Sequence, residues 1–134
     1  MLNPDSEAFE QREEREEGTG KDKSGRLRAE YMTSVAYCKD IVRLSGNRDS
    51  LRLRVYSDKP EWALLVRDTE QDAGLMHINE FATAGVRGYS GVHRFIANKL
   101  QADAFREWIQ RYEARWTTAK EVELQEDVDR VDDA

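Results

Sequence analysis

The sequence predicts an α+β fold: a small antiparallel sheet of three to five strands, with an amphipathic C-terminal helix and an N-terminal helix packed on one face. Three observations predict it. Phe105, Trp108, Ile109, Tyr112 and Trp116 recur at helical spacing, while Arg106, Glu107, Gln110, Arg111 and Arg115 take the opposite side. Leu51, Leu53 and Val55 alternate with Arg52, Arg54 and Tyr56, the period of a strand with one face for a core. Three further apolar runs, Trp62–Arg67, Leu75–Phe81 and Val92–Leu100, are separated by turn-forming stretches. Layers of helix on sheet follow from that order.

Taken in order, Ser6 to Glu17 holds good helix formers but almost no apolar face, and an isolated helix that short is marginal in water. Gly18 to Gly25 reads as a linker. Residues 1–26 are therefore expected to form a disordered charged tail, and trimming Met1 to Gly25 is expected to cost little. Leu27, Tyr31, Val35, Cys38 and Val42, with Ile41 beside them, make a helical stripe over Leu27–Leu44. Tyr31, Met32, Thr33, Val35 and Tyr37 also suit a strand, and the helix is favoured, ended by Ser45-Gly46-Asn47. Asp58-Lys59-Pro60 is turn chemistry, so the strand around Leu53 and the strand Trp62–Arg67 are expected to form a hairpin. Ala82 to Gly91, with Gly85, Gly88 and Gly91, reads as an irregular loop without phosphate-binding spacing. A single domain over residues 27–118 and an acidic flexible tail over residues 119–134 complete the expected organisation.

The charge distribution sharpens that division. The net charge of −6 is carried by the ends: eight acids against five bases in residues 1–26, and seven against two in residues 119–134. Residues 27–118 hold twelve acids and fourteen bases, mostly arginine, which also fits a GC-rich coding sequence. Cys38 is the one cysteine, so no intramolecular disulfide can form, as suits a reducing compartment. Met1-Leu2-Asn3-Pro4-Asp5 does not resemble a secretory signal, and no apolar run approaches the roughly 20 residues that span a bilayer. A soluble, cytoplasmic protein without membrane contact is expected.

Catalysis finds little support in the residues. His77 and His93 each fall in an expected strand, and with Glu80 or Asp103 they match no metal-ligand spacing. A Cys38–His93 dyad would depend wholly on the fold. No nucleophile elbow, dinucleotide fingerprint or paired carboxylates stand out, so no catalytic residue, metal site or cofactor is expected. Binding offers more. Arg52, Arg54 and Tyr56 would share one face of a strand, and with Arg67 they would form a basic, aromatic surface able to hold phosphates and stack bases. The acidic tail would compete for it. Trp108, Tyr112 and Trp116 on the last helix would either pack on the sheet or anchor a partner.

Arg94-Phe95-Ile96-Ala97 followed by Ala104-Phe105-Arg106-Glu107-Trp108-Ile109 resembles the last strand and terminal Trp-bearing helix of pleckstrin-homology-like domains. A helix over Leu27–Leu44 departs from that fold, which begins with strands, and no inositide-binding lysine cluster follows Gly46. The chain is also similar in size and helix-flanked sheet to small acidic chaperones of bacterial secretion systems. The sequence favours a non-enzymatic bacterial protein-binding module (adaptor, chaperone, immunity or inhibitor type), acting on a protein partner or as a homodimer. The alternative is a nucleic-acid-binding accessory protein.

Overall fold

The computed structural model describes residues 1–20, 23–81 and 92–125. Its elements run α1 (Glu7–Glu17), α2 (Arg26–Ser45), β1 (Leu53–Val55), β2 (Trp62–Arg67), β3 (Leu75–Glu80), β4 (Val92–Ala97), α3 (Ala102–Thr118) and β5 (Lys120–Val122). They divide into two units, Met1–Asp58 with Ala119–Ala134, and Lys59–Thr118. The architecture is α+β, with a three-stranded antiparallel sheet, a separate two-stranded sheet, and an amphipathic helix after the last strand of the larger one.

In the second unit, β2, β3 and β4 follow one another as an antiparallel meander with β3 in the centre. Strand alternation puts Trp62, Leu64 and Val66 on one face with Met76, Ile78 and Ile96. The apolar stripe of α3 covers that face: Phe105 and Trp108 are buried with Met76, Ile78 and Ile96, and Trp62, Leu64, Val66, Ala104 and Ile109 pack around them. Full burial of each such side chain contributes roughly 1.5–3 kcal/mol. Trp62 and Trp108 meet edge to face, centroids 5.7 Å apart. The Arg111 guanidinium lies 4.5 Å from the Trp108 ring, and that of Arg115 lies 4.5 Å from the Trp62 ring. The aromatic end of the core is thus roofed by cations whose stems stay on the helix. Asp103 in the first turn of α3 and Arg115 in the last complement the helix dipole.

The first unit is built around a smaller cluster in which Leu2, Phe9 and Leu27 are buried, with Ala8 and Tyr56 against them. Helix α2 follows the predicted stripe: Leu27 and Val42 are buried, and Tyr31, Val35 and Cys38 are half-buried. Ile41, placed beside that stripe by spacing, is exposed. Gly46 ends α2 in the left-handed region at φ 65°, where a side chain would be strained. The N-terminal helix of the expected layer, α2, belongs to this unit and not to that of the three-stranded sheet.

Three expectations are corrected. Residues 7–17 are helical, although they lack an apolar stripe, because the helix is held by docking instead of propensity. The Ser6 hydroxyl accepts from Phe9 N–H at 3.2 Å and caps α1. Phe9 is buried, and Glu13 is buried beside Arg28 at 3.4 Å. Glu17, at the far end, accepts from Leu27 N–H at 3.0 Å, so α1 supplies the cap that Gly25 at the start of α2 cannot.

The expected hairpin does not form. β1 pairs instead with β5, Arg54 opposite Glu121, while β2 pairs with β3. Six residues of β2 find a six-residue partner in β3, extended further by Phe81 N–H donating to Glu61 C=O. Turn chemistry at Asp58-Lys59-Pro60 allows a reversal but does not choose the partner of either strand. Finally, the start of the acidic tail is structured: Lys120–Val122 is a strand and Leu124 is buried. Residues 126–134 and the glycine-rich stretch 82–91 lie outside the described residues. Among the described residues, no helix is long and apolar enough to cross a membrane.

Candidate functional site: the outer face of the three-stranded sheet

The face of the meander turned away from α3 is set by the same alternation that fills the core. Three cross-strand rows line it: Ala63–Asn79–His93, Leu65–His77–Phe95 and Arg67–Leu75–Ala97. Leu65 is 74% exposed and Phe95 70% exposed, so the middle row presents two large apolar side chains with an imidazole between them. Arg67 is the one residue of these rows with a permanent charge, and no carboxylate stands among them. His77 stacks on Phe95, ring centroids 4.8 Å apart and planes 19° from parallel.

His77 also meets His93, its diagonal neighbour on β4. His77 Nε2 and His93 Nδ1 are 3.0 Å apart, with ring centroids separated by 5.3 Å and planes within 11°. That centroid separation matches the N···N distance plus the two centroid-to-nitrogen radii, so both nitrogens lie on the line joining the rings. The rings therefore lie side by side in nearly one plane, one nitrogen donating and the other accepting. Asn79, opposite His93 in the register, carries a side-chain oxygen that is buried and has no hydrogen-bond partner. Sixteen residues separate the two histidines in the chain, and no local spacing rule pairs them; strand register does.

The basic surface foreseen from the sequence is only partly assembled. Arg52 and Arg54 converge, but on Glu121: Arg52 donates from Nε and Nη2 at 3.1 and 3.0 Å, and Arg54 from Nε at 2.8 Å. The Arg52 hydrogen bonds, then those of Arg54, hold the Glu121 carboxyl below the usual carboxylate range, and the same bonds raise Arg52. Tyr56 is half-buried against the Leu2–Phe9–Leu27 cluster, and its backbone is tied to Met1 and Asn3 at 2.9 and 2.7 Å. It therefore does not offer a stacking platform beside the arginines. Arg67 belongs to the second unit.

The aromatic helix is likewise divided. Trp108 is 5% exposed and is a core residue, so it is not available to a partner. Tyr112 is 39% exposed and lies 6.0 Å from the half-buried Trp116. Cys38 and His93, the dyad that only a fold could assemble, lie in different units.

A cavity of about 270 Å³ in the first unit is lined by Lys39, Asp40, Val42, Arg43, Arg48 and Leu124, among others, and Arg43 is held at 3.0 Å by Asp40. Among the described residues, no group of three or more His, Cys, Asp or Glu side chains converges as a metal site would require. No protein-family model matches the chain, and no curated protein or solved structure is significantly similar to it.

Proposed function

We propose that the chain is a non-catalytic protein-binding module, of adaptor, chaperone, immunity or inhibitor type, whose contact surface is the outer face of the three-stranded sheet. One observation carries the reading: Leu65 and Phe95, on the two strands flanking β3, are exposed side by side with His77. Covering two side chains of that size would return roughly 1.5–3 kcal/mol each, and apolar and aromatic anchors of this kind dominate protein interfaces. The complementary partner is a protein that presents apolar side chains with acids at the rim, where Arg67 waits. The alternative, nucleic acid on Arg52 and Arg54, is disfavoured because a phosphate would first have to displace Glu121 from both guanidinium groups.

The test compares captured partners of the wild-type chain, a Leu65→Ser/Phe95→Ser variant and an Arg52→Ala/Arg54→Ala variant, each checked for an unchanged circular dichroism spectrum. The reading expects one partner whose affinity falls at least tenfold with the sheet variant and holds with the arginine variant. The same partners, at the same strength, in all three would overturn it. Oligonucleotide binding at low salt that disappears in the arginine variant would replace it with the nucleic-acid reading.

A further inference from the structure

We propose that His77 and His93 form a two-imidazole chelate for a divalent transition-metal ion, Cu2+ above all, on the exposed face of the sheet. The inference goes beyond the protein-binding reading and stands whether or not that face takes a partner.

Two features of the geometry support it. The first is the bite. An ion about 2.0 Å from each of two imidazole nitrogens that stand 3.0 Å apart sees them at roughly a right angle. That is the cis angle of tetragonal copper and nickel, and it is tighter than the tetrahedral angle zinc adopts. The second is the donor set. Two neutral nitrogens, with no carboxylate in the three rows of this face, select imidazole-loving ions and give nothing to Mg2+ or Ca2+, which take oxygen ligands. With only two side-chain nitrogens, the ion keeps open positions for water or a small chelator.

Binding replaces the present contact between the rings. The ion sits to one side of the line joining the nitrogens, so each ring turns to aim its lone pair at it, and His93, exposed on β4, has room to do so. The proton that now lies between the rings cannot stay there. His77 takes the tautomer protonated at Nδ1 and His93 that protonated at Nε2, so a neutral pair binds without net proton release. Stacking on Phe95 holds His77 in its own plane, so its turn toward the ion is a rotation within that plane and His93 makes the larger movement. Arg67, a row away from His77, is the nearest fixed cation of the rows and opposes binding.

The experiment uses the full chain with Cys38→Ser, to remove the competing thiol, titrated with the Cu2+–iminodiacetate complex. That chelator leaves two cis positions for the protein. Calorimetry is expected to show one complex bound per chain, and the electron paramagnetic resonance spectrum to show hyperfine splitting from three nitrogens, two imidazoles added to the chelator's own amine. His77→Ala and His93→Ala are each expected to weaken binding at least tenfold and to leave the splitting of a single imidazole beside that amine. Because His77 is packed on Phe95, thermal melts accompany both variants, and His93→Gln alone decides the matter if His77→Ala does not fold. Equal affinity in wild type and His93→Gln, or a spectrum of one imidazole in the wild type, would overturn the proposal.

Discussion

Gly74 sits where the turn before β3 closes on the aromatic core. A Cβ there would stand 2.7 Å from the Asp68 carbonyl oxygen and 2.9 Å from Phe105 Cζ, and the first of these is backbone that cannot swing aside. Gly74→Ala is therefore expected to destabilise the chain by about 1–3 kcal/mol, as overpacking does. Phe105→Ala, which empties the same place, is expected to cost about 3–5 kcal/mol. The two share a contact, so their effects should fail to add; urea midpoints of the two single variants and the double variant measure this. At this scale the sequence was legible wherever a residue's role follows from its own size and apolarity. Phe105, Trp108 and Ile109 were readable from helical spacing alone. His77 and His93 were not, because an imidazole suits a core, a surface or a ligand equally, and only the neighbour decides.

Among the elements, β1 and β5 are paired through their backbones and tied further by one carboxylate, that of Glu121. The sign of its pH dependence follows from its direction: Glu121 titrates lower in the folded chain than it would unfolded, through its bonds to Arg52 and then Arg54. Its contribution is thus complete above the ordinary carboxylate range and is lost as the pH falls through its depressed titration. The pair is exposed, so the effect is small. The stability difference between the wild type and Glu121→Gln should stay constant above about pH 5 and close on further acidification. A single urea midpoint series over pH shows it, and a difference that persists at the lowest pH would assign the loss to packing. The strands β2, β3 and β4 were legible because each alternates or runs apolar over six residues. β5 was not: Lys120-Glu121-Val122 is three residues long in an acidic stretch, with nothing local to mark it. Helix α1 was misjudged for the related reason that its support, Leu27 and Tyr56 under Phe9, comes from elsewhere in the chain.

At the scale of the whole molecule, the N-terminal residues are part of the first unit's core and not an appendage to it. Deleting residues 1–25 removes Leu2 and Phe9 from the cluster that covers Leu27 and takes the Glu17 carboxylate from the start of α2. Such a chain is expected to lose amide-exchange protection along Arg26–Ser45, while the strands Trp62–Arg67, Leu75–Glu80 and Val92–Ala97, whose core is closed by α3, keep theirs. Full protection of α2 in the deleted chain would show that the docked segment contributes nothing. The sequence by itself determined the α+β class, the three strands of the larger sheet and the buried stripe of α3. Those are properties of periodicity, and periodicity is written within a dozen residues. Only the tertiary structure decided that β1 takes β5, that Glu121 occupies the arginines, that α1 docks, and that two histidines sixteen residues apart meet on one face. Each of these is a choice of partner between distant segments, and such choices are settled by register and burial across the fold, for which no local pattern carries a signal.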